Sequence, residues 1–401
     1  MTQKQHSAKE AVDWKEIFRS DRDGMRALIQ QVVQDVLEAE MDGTVGAQKS
    51  ERSEARVGYR AGYYTRTLVT RVGKLVLRVP QDRQGRFRTE VFERYQRSEK
   101  ALVAALAEMY VQGVSTRKVK EITEELCGHE FSSSAISRVT GKLDEELERF
   151  ARRPLEEYPY VVLDARYERI RQDGVITSQA VQVAIGINWE GRRCVLAVEL
   201  ANRESASSWK EFLLGLKQRG LRGVVCVISD DHAGLRKAIP EALPEASWQR
   251  CYVHFLRNSL DHLPRKKDDD CLTELRWIYE RRNVEEARRD LAAWLTKWDG
   301  RYAQLCNWAE ANIEETLTFY RLPQQHHKHL KSTNMLERIN QELKRRTLVV
   351  RIFPNRESCL RLIRALAVEI HEDWVEATRY LNMEVLKEQL KQQRREIASA
   401  A

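Results

Sequence analysis

The hydrophobic pattern of the chain changes at Tyr158, and this change constrains the fold more than any other feature of the sequence. Three segments beyond it have the composition and alternation of β-strands: 160–170, 179–189 and 192–200. A helical segment at 205–219 and the apolar run GVVCVIS at 223–229 follow. Because such an uninterrupted run is typical of a strand covered on both faces, the sequence predicts an α/β sheet with helices packed against it.

The order of the predicted elements indicates a particular kind of sheet. A short strand at 248–252 precedes a helix at 253–262, so three consecutive strands are followed by strands that alternate with helices. This is the ribonuclease-H-like order. The segment 270–325 is helical and rich in aromatic residues, and aromatic side chains at helical spacing usually form a core.

Three acidic residues occupy positions at which a carboxylate needs an explanation. Asp164 interrupts an apolar strand, where its charge is costly unless it is paired or bound to a cation. Asp230 ends the buried strand, and ligands of open α/β sheets collect outside such carboxyl ends. Glu337 lies three residues after Asn334 in NMLERINQELKRR, a helix-start pattern in which Asn caps the helix and Glu takes the third position.

Each of these carboxylates also has an ordinary structural interpretation. Asp164 can be a surface acid on an edge strand, Asp230 a helix N-cap and Glu337 a capping-box residue. Together, however, they stand at the ends of elements that a ribonuclease-H-like sheet brings close to one another. Hard oxygen ligands of this kind suit Mg²⁺, so we expect Asp164, Asp230 and Glu337 to hold two Mg²⁺ ions, for which Mn²⁺ can substitute.

Cys251 and His254 form a C-x-x-H pair directly after the fifth predicted strand. A structural zinc site needs two more ligands at suitable spacing, and the nearby His326, His327 and His329 do not provide a second C-x-x-C pair. We therefore expect a hydrogen-bonding role beside the acids, with simple core packing as the alternative.

The positive charge of the chain is concentrated ahead of the predicted sheet. Residues 51–100 contain 13 Lys or Arg and 6 Asp or Glu, and this excess of seven is most of the net +8. TRTLVTRVGKLVLRVP at 65–80 has the pattern of a β-hairpin. Its basic residues are Arg66, Arg71, Lys74 and Arg78. Such side chains release counterions when they neutralise nucleic-acid phosphates, so we expect them to contact DNA; a solvated strand face is the alternative.

The segments around this hairpin are predicted to be helical. An amphipathic helix spans 13–40, and three helical segments joined by Gly-containing turns between 99 and 148 match a helix-turn-helix. In the third of them Arg138 and Lys142 share a face away from the apolar stripe, where they can reach a groove or phosphates. Many three-helix units bind no DNA, so the neighbouring basic hairpin is what favours DNA binding here.

The composition excludes several classes of protein. No apolar run approaches the ~20 residues of a membrane span, and the start MTQKQHSAKE lacks the pattern of a signal peptide. Seven cysteines, an odd number in a long chain, fit a reducing cytoplasm better than a disulfide framework. We expect a cytoplasmic protein that does not associate with membranes.

Taken together, the motifs resemble the signature of the Mutator-type transposases of bacterial insertion sequences, which are of the DDE kind. The resemblance covers most of the chain and rests on four segments: LDAR at 163–166, SDDHAGL at 229–235, CYVHFLRN at 251–258 and STNMLERINQELKRR at 332–346. The spacing of the acids agrees, because 66 residues separate the first from the second and 107 the second from the third. The longer gap accommodates a helical insertion.

The resemblance implies a function and a set of site residues. The catalytic, metal-binding residues are Asp164, Asp230 and Glu337, and the supporting residues are Cys251, His254 and His232. The substrate is double-stranded DNA, at terminal inverted repeats and at the target, bound by a homodimer associated with the nucleoid. Apart from the resemblance, we expect Arg338, Lys344, Arg345 and Arg346 to contact DNA near the cut, with Arg250 and Arg257 as secondary candidates. Asp231 is placed where it can compete for the metal.

The predicted organisation is a helical and basic-β N-terminal region with a helix-turn-helix, followed by a ribonuclease-H-like catalytic domain that carries an all-helical insertion. Its segments are 1–60 (helix and linker, with a role in dimerisation), 61–98 (basic β segment), 99–150 (helix-turn-helix), 155–263 (first part of the catalytic domain), 264–331 (helical insertion) and 332–401 (final helix with Glu337 and C-terminal helices).

Two other functions are compatible with these residues. A helix-turn-helix regulator with an inactive nuclease domain binds DNA without cutting it, and the intact triad argues against this alternative. A structure-specific nuclease that never joins strands needs the same acids as a transposase, so the sequence does not separate the two.

Overall fold

Two units make up the chain in the computed structural model, Met1–Lys142 and Leu143–Ala401. The described residues are 22–51, 54, 56–70, 72–92, 100–111, 114, 116–127, 143–264, 269–348 and 350–400. No helix within these ranges is long and apolar enough to cross a membrane.

A helix and a β-hairpin form the main part of the first unit. They are α1 (Arg22–Val45), β1 (Arg60–Thr70) and β2 (Gly73–Asp82). The two strands are antiparallel, and α1 packs against β2. Along β2 the buried Leu75, Leu77 and Val79 alternate with exposed residues, which is the period-two pattern of a half-buried strand. The hairpin predicted at 65–80 is confirmed and extends further in both directions.

Two glutamines of α1 cover the free edge of β2. Gln30 Oε1 accepts a hydrogen bond from the backbone N–H of Val76 at 3.2 Å, and Gln34 Oε1 accepts one from the N–H of Arg78 at 2.9 Å. Gln34 Nε2 also donates to the carbonyl oxygen of Arg78 at 2.7 Å. These bonds occupy backbone groups that an edge strand otherwise leaves open.

Two further helices complete the described part of the first unit. They are α2 (Lys100–Val111) and α3 (Thr116–Cys127), which share a small apolar core. They correspond to the first two helices of the predicted helix-turn-helix. Most of the third helix falls on 128–142, outside the described residues, as do Arg138, Lys142 and the start of the predicted N-terminal helix at 13–21. The helix-turn-helix therefore stays a prediction.

A five-stranded mixed sheet is the centre of the second unit. Its strands are β3 (Tyr160–Gln172), β4 (Val175–Ile187), β5 (Arg193–Ala201), β6 (Cys226–Ser229) and β7 (Ser247–Arg250). Their order across the sheet is β5-β4-β3-β6-β7. The first three strands are antiparallel to one another, whereas β6 pairs in parallel with β3 and β7 in parallel with β6. All five predicted strands are confirmed, although β6 is shorter than the apolar run that predicted it.

A two-residue turn fixes the register of β3 against β4. Asp173 and Gly174 both have positive φ values, 51° and 81°, as the tight hairpin turns that match strand twist require. The flanking residues Gln172 and Val175 form the first pair of the ladder. Since a shift of one residue turns every side chain to the opposite face, this turn determines the face to which each side chain of β3 points.

Helices pack against the sheet, as expected for strands that are covered. Helix α4 (Asp144–Arg152) precedes the sheet, and α5 (Ala206–Gln218) and α6 (Ala233–Ala242) lie between its later strands in the chain. Trp209 and Leu213 of α5 and Leu235 and Ile239 of α6 belong to one apolar core with residues of β3, β5 and β6. This core lies under the part of β3 that carries Asp164 and under β6, which leads into Asp230.

A helical region with its own core follows the last strand. Its helices are α7 (Tyr252–Ser259), α8 (Asp269–Trp277), α9 (Val284–Asn312) and α10 (His327–Leu330), and short 3-10 turns include Glu314–Thr316 and Thr318–Arg321. The core contains the buried aromatic residues Tyr279, Trp294, Trp298, Tyr302 and Phe319. The prediction that these aromatics form a core is confirmed; Trp277, 52% exposed, is the exception.

The remaining helices return to the sheet. They are α11 (Asn334–Thr347), α12 (Arg356–Glu376) and α13 (Glu384–Ala400). Helix α12 packs against β5, and α11 crosses β3. The start of α11 differs from its prediction, because Thr333 is the N-cap and Asn334 is already the first helical residue. Glu337 therefore lies one position later in the helix than a capping-box glutamate does.

Candidate active site

Asp164 and Asp230 lie next to each other on two neighbouring strands. Strands β3 and β6 run in parallel, and their last paired residues are Val162 and Ile228. Each aspartate lies two residues beyond that pair along its own strand direction. Because paired strands lie about 4.8 Å apart, this shared register brings Asp230, just past the end of β6, beside Asp164, which lies within β3.

The carboxylate of Asp164 is held by two hydrogen bonds. Its Oδ2 accepts a bond from Asn340 Nδ2 at 2.7 Å, and its Oδ1 accepts one from the backbone N–H of Ala165 at 2.9 Å. Burial, and after it the negative charge of Asp230, raise the pKa of Asp164 to about 6, although the charge of His254 acts in the opposite direction. A divalent cation would relieve the repulsion between these two carboxylates.

Asp230 begins the loop between β6 and α6. Its Oδ1 accepts a hydrogen bond from the backbone N–H of His232 at 3.1 Å, and His232 Nδ1 accepts one from the N–H of Gly234 at 3.1 Å. His232 is therefore the N-cap of α6, and the interpretation of Asp230 as a helix cap is wrong. A Cβ atom on Gly234 would lie 2.8 Å from the backbone carbon of Ser205, so the close approach of these two segments requires glycine.

Glu204 is a third buried carboxylate in this neighbourhood, and no sequence pattern marked it. Its side chain is 11% exposed, and Oε2 lies 3.7 Å from His232 Nδ1. Burial raises the pKa of Glu204, the charge of His232 lowers it and the charge of Asp230 raises it. The residue stands in the connection between β5 and α5, where only the tertiary structure reveals its proximity to Asp230.

Side-chain contacts hold helix α11 against the segment of β3 from Asp164 to Glu168. Besides the bond from Asn340 to Asp164, Arg166 Nη1 donates to the carbonyl oxygen of Asn340 at 2.8 Å. Further along, Thr347 Oγ1 donates to Glu168 Oε1 at 3.1 Å. Arg166 also pairs with Glu168 at 2.6 Å. These contacts determine where the helix that carries Glu337 lies.

Glu337 is less closely engaged than the two aspartates. Its side chain is 36% exposed, and Oε1 lies 3.8 Å from Arg257 Nη2. In the part of the chain that the structure describes, no group of three or more His, Cys, Asp or Glu side chains is arranged to hold a metal ion. The structure thus brings Asp164 and Asp230 together and links α11 to them through Asn340, while the role of Glu337 stays a prediction.

Cys251 and His254 support the start of α11. Cys251 is fully buried, and its Sγ accepts hydrogen bonds from the backbone N–H of Thr333 at 3.3 Å and from Thr333 Oγ1 at 3.5 Å. Burial raises the pKa of the Cys251 thiol, but its hydrogen bond with His254 lowers the pKa overall, and the same bond raises the pKa of His254. The pair therefore stabilises the N-terminal end of α11, the helix that carries Glu337.

The nearby histidines serve the packing of the helical region. His326 Nε2 donates to the carbonyl oxygen of Asn382 at 2.8 Å, so its Nδ1 accepts the hydrogen bond from Tyr160 OH, also at 2.8 Å. A ring nitrogen of His327 bonds to the carbonyl oxygen of Leu322 at 2.8 Å. These contacts support the expectation that the histidines do not complete a zinc site with Cys251.

The basic residues at the end of α11 fall into two groups. Lys344 is exposed, whereas Arg346 is 5% exposed and pairs with Glu342 at 2.8 Å and Glu369 at 3.5 Å. Arg345 also pairs with Glu342, at 2.6 Å, but its side chain is largely exposed. Arg346 thus differs from the expected DNA contact, because its guanidinium is occupied in packing. The side chain of Arg338 is not among those described.

Two residues close to Asp230 also differ from their expected roles. Arg250 is 1% exposed and cannot contact DNA from its buried position. Asp231 pairs with Arg250 at 2.9 Å and with Arg236 at 3.1 Å. With both oxygens engaged by arginines, Asp231 does not compete for a metal ion in this arrangement.

The basic residues of the hairpin lie on different faces. Lys74 and Arg78 belong to the exposed positions of β2, and the Arg78 guanidinium lies 4.7 Å from the ring centre of Tyr63. Arg66 stacks over Phe92, 4.1 Å from its ring centre, next to the apolar core. Arg71 lies outside the described residues. Of the predicted phosphate contacts, Lys74 and Arg78 are therefore the two that share an open surface.

The family model and the similar proteins found by comparison are all transposases. The model of the Mutator family of transposases matches residues 1–377. The transposase for insertion sequence element ISRM5 of Rhizobium meliloti is 67% identical over 378 residues, 94% of this chain and 95% of its own. The transposase for IS256 in transposon Tn4001 of Staphylococcus aureus is 38% identical and covers 90% of this chain and 94% of its own. The solved catalytic domain of the Mos1 mariner transposase matches 45% of this chain and 96% of its own at 15% identity, with a TM-score of 0.18, which is too low to establish a shared fold.

Proposed function

We propose, because the chain belongs to the Mutator family of transposases, that it binds the terminal inverted repeats of an insertion sequence and catalyses metal-dependent strand nicking and transfer of the freed 3′-hydroxyl. The observation that carries this proposal is the placement of Asp164, within β3, beside Asp230, at the end of the neighbouring parallel strand β6. We further propose that the protein acts as a homodimer on two DNA ends and that it does so in the bacterial cytoplasm.

The topology of the sheet supports a ribonuclease-H-like catalytic domain. Three antiparallel strands are followed by two strands parallel to the first, in the spatial order 3-2-1-4-5 when the strands of the sheet are counted along the chain. In this arrangement the first and fourth strands are neighbours. The first acid therefore comes from β3 and the second from the end of β6, where open α/β sheets collect their ligands.

The residues present fit a hard divalent cation. Asp164 and Asp230 supply carboxylate oxygens, and Asn340 Oδ1 is a buried oxygen that has no hydrogen-bond partner among the described residues. Oxygen donors of this kind suit Mg²⁺ or Mn²⁺. We assign Asp164, Asp230 and Glu337 as the ligands of two such ions. Held by these residues, such ions would supply activation of an attacking oxygen and stabilisation of the leaving oxygen in an in-line displacement.

The side chains around the acids hold them for this chemistry. Asn340 and the N–H of Ala165 orient the carboxylate of Asp164, and Cys251 with His254 supports the first turn of α11. Lys344 is exposed and follows Glu337 by seven residues, so both point in nearly the same direction on α11. Lys344 is thus suited to contact a phosphate of the strand that is cut.

The test is cleavage and joining of labelled terminal-repeat DNA by the full chain in Mg²⁺ or Mn²⁺. We expect Asp164→Asn, Asp230→Asn and Glu337→Gln to abolish both products, whereas Asp261→Asn, at an exposed position, leaves them unchanged. Joined products that persist in Asp230→Asn would overturn the site. Cleavage by the unaltered chain without any joined product would instead show a nuclease that lacks strand transfer.

A further inference from the structure

A buried arginine lies beside the loop that begins with Asp230. Arg250 ends β7, and its side chain is 1% exposed. Nη2 pairs with Asp231 Oδ2 at 2.9 Å, and Nη1 lies 3.6 Å from Glu315 Oε2. Nη1 also lies 3.4 Å from Asn312 Oδ1. Arg250 thus joins the residue after Asp230 to two residues of the helical region.

A second arginine completes a cluster of four charges. Arg236 of α6 pairs with Asp231 Oδ1 at 3.1 Å and with Glu315 Oε1 at 2.6 Å. Each carboxylate therefore contacts both arginines, and the cluster of Arg250, Arg236, Asp231 and Glu315 has no net charge. Arg250 is the buried member, and because its charge would be costly without partners, Asp231 and Glu315 hold its guanidinium in place; Arg236, 43% exposed, bridges the same two carboxylates.

The side chain of Gln249 in β7 fixes the position of Glu315 through hydrogen bonds to the backbone that follows it. Gln249, which is fully buried, donates from Nε2 to the carbonyl oxygen of Thr316 at 2.8 Å. Its Oε1 accepts a hydrogen bond from the N–H of Phe319 at 2.6 Å. The turn that carries Glu315 is thus docked on the last strand of the sheet by the residue that precedes Arg250. This docking brings Glu315 of the helical region to the two arginines that pair with Asp231.

We propose that Arg250 and Glu315 are positioning residues for Asp230. Asp231 shares a peptide bond with Asp230, so fixing the side chain of Asp231 restricts where the Asp230 carboxylate can lie. Asp230 is correctly placed only while the turn of Glu315 is docked on β7. Displacement of a reacting group by about 1 Å can reduce a rate about 100-fold, so the helical region controls catalysis without contacting the reacting atoms. The catalytic part of this inference rests on the proposed function.

Hydrogen exchange tests the placement of the loop without requiring activity. The variant is Glu315→Gln, and its matched control is Glu314→Gln, because Glu314 pairs at 2.9 Å with Arg288 where both side chains are more than half exposed. We expect the amides of His232 and Gly234, which bond within the loop, to exchange about 10-fold faster in Glu315→Gln and at the unaltered rate in the control. Equal exchange in the two variants would overturn the proposal.

Kinetics of DNA cleavage tests the consequence for the reaction. We expect Glu315→Gln to lower kcat about 100-fold with little change in KM for terminal-repeat DNA, because the cluster positions Asp230 and does not bind DNA. Arg250→Lys keeps the charge but not the forked geometry, so it should be intermediate in both exchange and kcat. A rise in KM with unchanged kcat in Glu315→Gln would assign the cluster to DNA binding instead.

The two measurements separate this inference from the proposed function. If the unaltered chain neither cleaves nor joins DNA, the proposed function fails while hydrogen exchange still reports on the cluster. If the unaltered chain is active but the loop in both Glu315→Gln and Arg250→Lys exchanges at the rate of the unaltered chain, the positioning role fails and the function stands. Thermal unfolding of each variant identifies any that fails to fold, and Arg250→Lys then provides the test in place of Glu315→Gln.

Discussion

Asn340 connects the helix of Glu337 to the first acid of the sheet. It donates to Asp164 at 2.7 Å and lies one helical turn after Glu337, while its own carbonyl oxygen accepts a hydrogen bond from Arg166. Its position on the same helix face as Glu337 is readable from the sequence by helical spacing. The bond to Asp164 is not, because it depends on where α11 crosses β3.

Replacing Asn340 tests this contact. Asn340→Leu keeps a similar volume but removes the hydrogen bond, so the Asp164 carboxylate loses the group that orients it. We expect single-turnover cleavage of terminal-repeat DNA to slow about 10-fold to 100-fold while DNA affinity is unchanged. Gln341→Leu, at the next and exposed position, is the control. Equal rates in the two variants would show that the amide does not orient the acid.

Single residues differed widely in how far the sequence revealed them. Asp164 and Asp230 were predictable because a charge that interrupts or ends an apolar strand is costly and requires a reason. Glu204 was not predictable, since it lies in a polar connection with no periodicity. Arg346 and Arg250 were expected to contact DNA, whereas the structure shows each guanidinium buried and paired with carboxylates.

The start of α11 shows why helix ends are harder to predict than helices. The pattern of Asn334 followed by Glu337 indicated a capping box, yet Thr333 is the N-cap and makes no side-chain capping bond to its own helix. Instead, its N–H and hydroxyl bond to the sulfur of Cys251. A group from a distant part of the chain thus supplies the hydrogen bonds that local sequence appeared to provide, and only tertiary packing reveals such a partner.

The last turns of α11 are stabilised by a carboxylate whose contribution depends on pH. Hydrogen bonds from Arg345, and then from Arg346, lower the pKa of Glu342 to about 2, below its ordinary value of 4.5. Since the folded state binds this proton less tightly than the unfolded state, the stabilisation is complete above about pH 5 and is lost as the pH falls toward 2.

The variant Glu342→Gln is therefore expected to be less stable than the unaltered chain near neutral pH and to approach it in stability as the pH is lowered below about 4.5. Urea unfolding at a series of pH values measures the difference. Glu245→Gln, at an exposed position, should show no such trend. A difference for Glu342→Gln that is the same at every pH would contradict the assigned ion pairs.

At the scale of the whole molecule, the excess positive charge and the three predicted catalytic acids lie in different units. Most of the excess positive charge lies in 51–100, within the unit Met1–Lys142, whereas Asp164, Asp230 and Glu337 lie in the unit Leu143–Ala401. Both features are visible in the sequence, because the charge excess and the change to an α/β pattern are properties of long segments. The sequence did not predict how Glu315 docks on β7, because that contact joins residues far apart in the chain.

The division leads to a prediction about DNA binding. In the double variant Lys74→Gln and Arg78→Gln, two exposed cations of β2 are neutralised, so two fewer counterions are released on binding. We expect weaker binding and a plot of log affinity against log salt that is flatter by about 1.8. Arg394→Gln with Arg395→Gln, which removes two exposed charges from α13, is the matched control. An unchanged slope in the hairpin variant would refute phosphate contact by this face.

The glutamines that cover the edge of β2 have a consequence for how the protein can be shortened. Gln30 and Gln34 belong to α1, so a polypeptide whose translation started beyond Val45 would carry the hairpin with its strand edge open. Open edges pair with one another between molecules and seed insoluble polymers. We therefore expect any internally initiated or proteolytically trimmed form that lacks α1 to self-associate more readily than the intact chain.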